Sequence, residues 1–420
     1  MAFQQGLSGL NATSKNLSVI GNNIANSGTY GAKSGRAEFS DIYANAIGGG
    51  NRSQIGIGVA LSSVSQQFTQ GNITTTDRAL DLAINGGGFF QLDSGGTTVF
   101  SRNGQFHADK AGFVVNNGNQ KLLGYGATFD GTIIPSAIKP LQLPTAGVAP
   151  LATTKVKLEL NLDSRQPVTL PAAGPPIDLA DPKTYNFATS TSAFDIKGQE
   201  IGLTYYFQKT AKDTFDVYVT ANGVPVLGTP AAPTPVVTGM NFDPSGATLL
   251  SPLTPTPFDV PAVPLTSGGI SEPIVGVNLD LGSTTQYGAA TSVTDLVQDG
   301  YAPGTLSGFN IDASGVIVAN YSNGQNKPVG QLVLATFHNP QALQPLGGNA
   351  WASNFATGDA IIGPPGQGNL GALQAGALEE SNVDLTTELV SMITAQRAYQ
   401  ANAQSIKTED QILQTLVNLR

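Results

Sequence analysis

Apolar side chains recur at helical spacing at both ends of the chain. The N-terminal set is separated by Gln, Ser, Asn and Thr and consists of Phe3, Leu7, Leu10, Leu17, Ile20 and Ile24. The C-terminal set follows the alternating four- and three-residue steps of a heptad and consists of Leu385, Leu389, Met392, Tyr399, Ala403, Ile406, Leu413 and Val417. Both spacings predict an amphipathic helix, since such positions share one helix face.

The C-terminal helix is predicted to be unusually long. Its pattern continues for about 35 residues, whereas an average globular helix has about 11–12. Ser381 and Asn382 are the candidate N-caps, and Asp384 and Glu388 lie where negative charge favours a helix N-terminus. Because such helices are marginally stable alone, we expect the two to pair with each other and with other copies. Packing on the β structure as ordinary amphipathic helices is the alternative.

The chain between the two helices carries the signals of β structure. Seven Asn-Gly or Asp-Gly dipeptides predict hairpin turns, and they begin at residues 85, 103, 117, 130, 222, 299 and 323. Alternating apolar residues predict strands over 155–162 and around 215–219. Residues 225–264 contain ten prolines, which predicts extended loops, because proline cannot donate to a β ladder. The predicted order is helix, β domain, inserted β domain, β domain, helix.

Charge and composition narrow the possible partners. The 420 residues include 20 Lys and Arg against 29 Asp and Glu, a net charge of −9, which argues against nucleic-acid binding. Charged residues make up 12% of the chain, about half of the ~25% that is usual. The surface is therefore mainly uncharged and polar. Copies of such a chain repel each other only weakly, which favours their dense packing against one another.

The sequence offers few ligands for a metal or cofactor. It has no cysteine and only two histidines, His107 and His338, so we expect no disulfide, metal centre or cofactor.

The sequence contains no run of 18 apolar residues that would predict a membrane helix, and its N-terminal residues do not resemble a signal peptide. On these grounds alone the cytoplasm would be the default location.

The sequence contains no recognisable catalytic motif. It has no phosphate-binding loop, no HExxH and no Gly-x-Ser-x-Gly. The carboxylate pairs Glu379–Glu380 and Asp77 with Asp81 would suit glycoside hydrolysis, but we interpret them as solvated acids. Gly86, Gly87 and Gly88 are read as a site of close backbone packing rather than of ligand binding. We therefore predict that the protein is not an enzyme.

Motifs at both ends resemble a known family. The segment GLNATSKNLSVIGNNIANSGTYGAKSGRAEF contains an Asn22-Asn23-Ile24-Ala25-Asn26 signature and resembles the N-terminal segment of bacterial flagellar rod and hook axial proteins. The segment that closes the chain is similar to that family's last helix. Its specific features are Ser381-Asn382-Val383-Asp384 and a centre that begins Gln396-Arg397. Ala32 stands where the family usually has an aromatic residue.

The resemblance implies a structural role in the flagellum. The segment TTQYGAATSVTDLVQDGYAPGTLSGFNIDASGVIVANYSNG, past an insertion of about 145 residues near 146–290, is similar to hook members of the family. A hook subunit self-assembles into a curved helical tube, a flexible universal joint that transmits torque from rod to filament. A distal rod protein is the alternative, and a secreted carbohydrate-active enzyme is a remote one.

The resemblance also implies a fold class and a division of the chain. The expected fold is multidomain α+β, with long terminal helices in a coiled-coil-like inner domain and mainly β, hairpin-rich outer domains. The predicted parts are a terminal helical domain that forms the inner tube (1–28 and 373–420), connecting segments (29–70 and 356–372), an inner β domain (71–145 and 284–355) and an inserted, proline-rich outer β domain (146–283).

The expected partners and location follow from the same resemblance. The main partner is the protein itself, as a homopolymer of many copies. The other expected partners are the flagellar rod, the hook cap, the hook–filament junction proteins and the export apparatus, with no nucleic acid and no membrane insertion. The expected location is the extracellular flagellum, reached without a cleavable signal peptide. This replaces the cytoplasmic default.

Overall fold

Residues 2–42, 56, 58–128, 131–169 and 177–418 are described by the structure, a computed structural model. The chain forms two units. The first comprises Met1–Thr145, Ser307–Asn320 and Asn326–Arg420, and the second comprises Ala146–Leu306 and Tyr321–Gln325. The sequence-based division into an inner tube and an outer β layer stays a prediction.

Both predicted helices are present. The first, α1, is Ala2–Ala25, and the second, α2, is Leu385–Asn418, with 34 residues. The Asp384 carboxylate caps α2, because its Oδ1 accepts the backbone N–H of Thr386 at 2.8 Å and of Thr387 at 3.3 Å. Hydrogen bonds from Thr387 and Thr386 also lower the pKa of Asp384. The prediction that Ser381 or Asn382 caps this helix is therefore wrong.

The first unit is built on a sheet of thirteen strands. The strands before the insertion are Gly35–Ile42 (β1), Gly58–Gln66 (β2), Ile73–Thr75 (β3), Leu82–Asn85 (β4), Phe89–Ser94 (β5), Thr97–Ser101 (β6), Phe106–Ala108 (β7), Val114–Asn116 (β8), Lys121–Ala127 (β9) and Ile133–Pro140 (β10). The buried side chains of this sheet come from residues far apart in sequence, which makes the unit a single body around Phe90, Leu92, Leu122 and Leu332.

The second unit contains two main sheets over one core. Its strands are Lys155–Asn161 (β11), Phe187–Phe194 (β12), Glu200–Ala211 (β13), Thr214–Ala221 (β14), Val224–Pro225 (β15), Gly228–Thr229 (β16), Ala232–Pro233 (β17), Val237–Phe242 (β18), Leu249–Ser251 (β19), Thr256–Val260 (β20), Ile274–Asp280 (β21) and Ser292–Gln298 (β22). The sheet orders are β20-β21-β11-β22 and β12-β13-β14-β18-β19.

After the insertion the chain returns to the first unit. The remaining strands are Leu306–Ile311 (β23), Val316–Tyr321 (β24), Asn326–Leu332 (β25), Leu334–Thr336 (β26), Gln344–Gly347 (β27), Ala350–Ala352 (β28), Ile361–Gly363 (β29), Ala372–Ala375 (β30) and Ala377–Glu379 (β31), with 3-10 turns at Pro340–Ala342 and Phe355–Thr357. The thirteen-stranded sheet runs β23-β24-β25-β9-β5-β6-β28-β27, with the other five strands on its sides. Shorter ladders pair β1 with β2, β3 with β31 and β4 with β30.

The strands predicted from alternation are confirmed. The apolar positions of β11, predicted over 155–162, are buried, and so are those of β14, predicted around 215–219. They belong to the same core in the second unit. In β11 one face is buried and the other is not, whereas in β14 Tyr218 and Thr220 on the opposite face are buried as well.

The prediction of extended loops over 225–264 is wrong. This stretch forms β16 to β20, and β15 ends within it at Pro225. Seven of its ten prolines lie in the segments between strands. The other three lie at strand ends, as Pro225 and Pro233 do, or on an outer strand, as Pro257 does on β20. A proline-rich stretch can therefore still contain short paired strands.

Three of the Asn-Gly and Asp-Gly dipeptides lie in hairpin turns, as predicted. Turns at 117–118, 222–223 and 323–324 join β8 to β9, β14 to β15 and β24 to β25. The dipeptides that begin at residues 85, 103 and 299 do not lie in hairpin turns, and the one that begins at residue 130 lies outside the described residues. Gly104 instead permits a close approach, since a Cβ there would lie 1.6 Å from the Leu82 carbonyl oxygen. Gly86, at φ +119°, similarly lies against Gly371, as the close-packing interpretation predicted.

Candidate assembly surface

A buried carboxylate joins three segments of the first unit. Glu379, on β31, accepts hydrogen bonds from Lys33 Nζ at 2.6 Å, Arg102 Nη1 at 3.2 Å and the backbone N–H of Gly71 at 2.9 Å. The side chains of Lys33 and Glu379 are fully buried, and that of Arg102 is 3% exposed. Lys33 follows α1 and Glu379 precedes α2. The contact therefore fixes where both helices leave the β structure.

This cluster holds two cations and one carboxylate away from water. Burial lowers the pKa of Lys33 and of Arg102, and the charge of Glu379 opposes both shifts. Backbone carbonyls take further N–H groups: Lys33 Nζ donates to Thr69 at 2.7 Å and Arg102 Nη2 donates to Gly86 at 3.0 Å. Glu379 is thus a buried structural residue, and the expectation that it is a solvated acid is wrong.

Two asparagines of the terminal motifs fasten the helices to the segment between α1 and β1. Asn382 Oδ1 accepts the backbone N–H of Ser34 at 2.8 Å. Asn23 Oδ1 accepts the N–H of Gly35, and its Nδ2 donates to the Gly35 carbonyl, both at 2.8 Å. Asn23 Nδ2 also donates to Glu388 Oε1 on α2 at 2.9 Å. These side chains satisfy backbone groups that no strand pairs, which explains why amides stand at these positions.

The other motif residues have local or exposed positions. Asn26 Nδ2 donates to the Asn22 carbonyl at 2.9 Å, and Ser381 Oγ accepts the N–H of Val383. Exposure is high at Ala25, Asp384, Gln396 and Arg397 and intermediate at Ile24. Ala32 is buried and lines a cavity of about 440 Å³.

The two helices pack against each other in an antiparallel pair. At one end, a Cβ added to Gly6 would lie 2.9 Å from Ile406 Cγ1. Further along, Asn402 Nδ2 donates to Thr13 Oγ1 at 3.4 Å. The Asn23–Glu388 contact lies at the other end. The prediction that the two helices pair with each other is therefore confirmed, and their pairing with other copies stays a prediction.

Only part of the predicted stripe is covered by this pairing. Ile20 is buried; Leu10, Leu17, Ile24, Met392, Ala403 and Ile406 are half-buried; Phe3, Leu7, Leu385, Leu389, Tyr399 and Leu413 are exposed, and the Val417 side chain lies outside the described residues. A straight helix drifts about 20° per heptad against a strict heptad pattern. Over the nearly five heptads of α2, a strict heptad stripe therefore cannot stay on the one face that α1 covers.

Further apolar side chains on α2, absent from the predicted stripe, are also exposed. Val390 is 60% exposed, Ile393 51% and Ile412 50%. Val390 also lines a groove of about 620 Å³ between α1, α2 and the strands β1 and β2, and other lining residues include Ala12 and Ala395. Contiguous apolar surface of this kind marks interaction sites on soluble proteins.

Residues considered for other chemistry have structural positions. Asp81 is buried and its Oδ2 accepts a hydrogen bond from Thr76 Oγ1 at 2.9 Å, so the interpretation of Asp81 as a solvated acid is wrong. Among the described residues, no cluster of three or more His, Cys, Asp or Glu could hold a metal ion. Within the same ranges, neither helix is apolar enough over a sufficient length to cross a membrane.

Comparison with known proteins identifies the family. The chain is 41% identical to the flagellar hook protein FlgE of Salmonella typhimurium (strain LT2) and to that of Escherichia coli (strain K12), over the whole of each chain. The chain belongs to the flagellar hook protein family. It is accordingly a structural subunit of the flagellar hook, a component of the flagellum, and not an enzyme.

Family models match successive parts of the chain. They are "Flagella basal body rod protein" over residues 3–33, "Flagellar hook protein FlgE/F/G D1 domain" over 83–151, "Flagellar basal body protein FlaE D2 domain" over 161–301 and "Flagellar basal body rod FlgEFG protein C-terminal" over 374–419. The terminal models are shared with rod proteins, whereas the full-length relatives are hook proteins. The rod alternative is therefore set aside.

A solved structure supports the fold. The crystal structure of Helicobacter pylori flagellar hook protein FlgE2 matches with a TM-score of 0.52 at 15% identity, covering 72% of this chain and 99% of that one. The two terminal helices and mostly β body of this chain are consistent with the fold of a flagellar hook protein.

Replacing Glu379 by Gln should destabilise the first unit. A neutral amide leaves two buried cations without a counter-charge, and breaking such a cluster costs about 3–5 kcal/mol. Urea unfolding measures this loss. The matched control is Glu380→Gln, because Glu380 is half-buried and accepts one hydrogen bond from Asn72; we expect a change within about 0.5 kcal/mol. Equal effects of the two substitutions would contradict the role given to Glu379.

Two glycines of α1 provide a matched test of the helix pair. Gly21 has no atom within 4 Å of an added Cβ, so Gly21→Ala should stabilise α1 by up to about 1 kcal/mol. Gly6→Ala brings the same gain in helix propensity but forces Ile406 to move. We expect it to give no net gain or to lower the thermal midpoint. A similar stabilisation by both substitutions, measured by circular dichroism, would show that α1 and α2 do not pack closely at Gly6.

Proposed function

We propose that copies of this chain assemble through the exposed faces of α1 and α2 into a curved helical tube. The tube would act as a flexible universal joint that transmits motor torque from the flagellar rod to the filament. The observation that supports this proposal is the apolar surface that the helix pair leaves uncovered. A coiled-coil-like inner domain would then form between copies as well as within one.

The exposed residues of α2 are large enough to drive association. Leu385, Leu389, Val390, Ile393, Ile412 and Leu413 are between 45% and 60% exposed. Burial of apolar surface contributes about 25 cal/mol per Å², so covering several of these side chains in each copy contributes several kcal/mol. No such benefit is available in a monomer, where they stay in water.

A tube requires contacts between different faces of each copy. Head-to-tail contacts whose rotation does not close generate an open helical polymer. We propose that the terminal helices form the inner wall and that the β structure forms the outer layers. Few charges on those layers would let neighbouring copies shift on bending without breaking fixed ion pairs, since only 12% of residues are charged.

The proposed setting follows from membership in the hook family. We propose that the chain leaves the cell through the flagellar export apparatus, without a cleavable signal peptide, and polymerises outside. Its neighbours at the two ends of the tube would be the rod and the hook–filament junction proteins, with a hook cap at the growing end. The proposed assembly uses no cofactor.

Leu389→Asp should prevent assembly, because it places a charge in the interface between copies. Leu389 is 45% exposed in the single chain, so the thermal midpoint of the monomer should hardly change. The measurement is sedimentation and electron microscopy of the concentrated protein. Leu253→Asp, at a leucine that is 80% exposed on the second unit, is the matched control and should leave tubes intact. Normal tubes from Leu389→Asp would contradict the proposal.

Ile406→Asp separates the two roles of α2. Ile406 is half-buried against Gly6, so this substitution should both block assembly and lower the stability of the helix pair. Circular dichroism of the monomer distinguishes it from Leu389→Asp. If Ile406→Asp leaves the helix signal and midpoint unchanged, Ile406 does not belong to the intramolecular face.

A further inference from the structure

One phenylalanine of the first unit projects fully into water. Phe355 begins the 3-10 turn that follows β28, and its side chain is fully exposed. Among the described residues, no other phenylalanine is more than half exposed. Ser353, Asn354 and Asp359 near it in sequence are exposed polar residues, so the ring stands in a polar surface. Aromatic side chains of this kind are the residues that most often anchor protein interfaces.

Hydrogen bonds hold the backbone of this turn in one conformation. Asn354 Oδ1 accepts the backbone N–H of Ala356 at 2.9 Å and that of Thr357 at 3.1 Å. The Asn354 backbone N–H donates to Thr357 Oγ1 at 3.2 Å, and Thr357 is fully buried. Asn354 Nδ2 also donates to the Ala342 carbonyl at 2.7 Å, which ties this turn to the other 3-10 turn. Phe355 therefore has a rigid support, and a rigid anchor loses little conformational entropy on binding.

The same unit contains an open groove between α1, α2 and the strands β1 and β2. Its volume of about 620 Å³ lies within the range of roughly 300–1,000 Å³ that is usual for ligand pockets. Apolar lining comes from every side: Ala12 on α1, Phe39 on β1, Val59 on β2, and Val390 and Ala398 on α2. None of the described residues that line the groove is charged. The groove is therefore suited to an apolar side chain.

The ring and the groove do not meet within one copy, because Phe355 is fully exposed in the single chain. An apolar side chain on one part of a molecule and an apolar pocket on another part form a head-to-tail contact between copies. Each copy then inserts its own ring and receives the ring of another. Contacts of this type that do not close continue into a helical polymer.

We propose that Phe355 of one copy inserts into the groove between α1, α2, β1 and β2 of the next copy. The occupant of the groove is thus a second copy of this chain. The polar residues next to Phe355 form the rim of the contact, and the ring forms its apolar centre. This inference rests on the proposed assembly and adds a contact from the β structure of one copy to the helix pair of another.

Phe355→Ser tests the anchor. It should raise the protein concentration needed for tube formation at least tenfold, because each added copy loses one buried ring, and burial of a phenylalanine contributes more free energy than a tenfold change requires. The thermal midpoint of the monomer should not change, because the ring is in water there. Sedimentation over a dilution series measures the threshold concentration.

Leu253→Ser is the matched control for Phe355→Ser. Leu253 is also a largely exposed apolar residue, but it lies on the second unit, so tube formation should be unchanged. Assembly of Phe355→Ser at the unmodified threshold would overturn the inference and leave the proposed assembly through the helices intact.

Photo-crosslinking identifies the surface that receives the ring. Phe355 is replaced by benzoylphenylalanine, and the full chain is irradiated as tubes and as dilute monomer. Mass spectrometry of the tubes should join position 355 to lining residues of the groove, within 9–16, 390–402, β1 or β2 of a neighbouring copy, and the monomer should give no such product. Tubes whose crosslinks lie only elsewhere would reject the groove as the partner. If even the unmodified protein forms no polymer, both this inference and the proposed assembly fail.

Discussion

The structure depends on one buried carboxylate. Glu379 lies between Lys33 and Arg102, so the segment after α1, the β structure and the segment before α2 meet at one point. Charged groups are costly to bury, and such a cluster is retained only where partners and geometry are fixed together. Because the cluster lies next to the end of α1 and the start of α2, both helices leave the β structure side by side.

The position of the helices determines what the protein can do. Held side by side, α1 and α2 cover one flank of each other and leave apolar residues such as Leu389 and Ile393 in water. A monomer has nothing to cover this surface, and in the proposed assembly a second copy covers it. The weakly charged exterior allows many copies to pack closely. In the proposed assembly, polymerisation thus depends on the same buried cluster that anchors the helices.

Local patterns predicted much of the fold, and long-range contacts account for the rest. Helical and two-residue periodicities located α1, α2, β11 and β14, because each needs only one buried face. The prolines of 225–264 led to the wrong prediction of extended loops, because proline is tolerated in a strand that lies at a sheet edge. The Glu379 cluster was missed because its members are hundreds of residues apart. Its one sequence signal is that Arg102 is an isolated charge, with no other charged residue between Asp93 and Asp109.

The most direct test of the account is a helical reconstruction, by electron cryo-microscopy, of the polymer formed by the purified full chain. We expect a curved tube of uniform diameter whose innermost wall consists of α1 and α2, with Leu389 covered by a neighbouring copy. A polymer in which the helix pair faces outward, or in which Leu389 stays exposed to solvent, would contradict it.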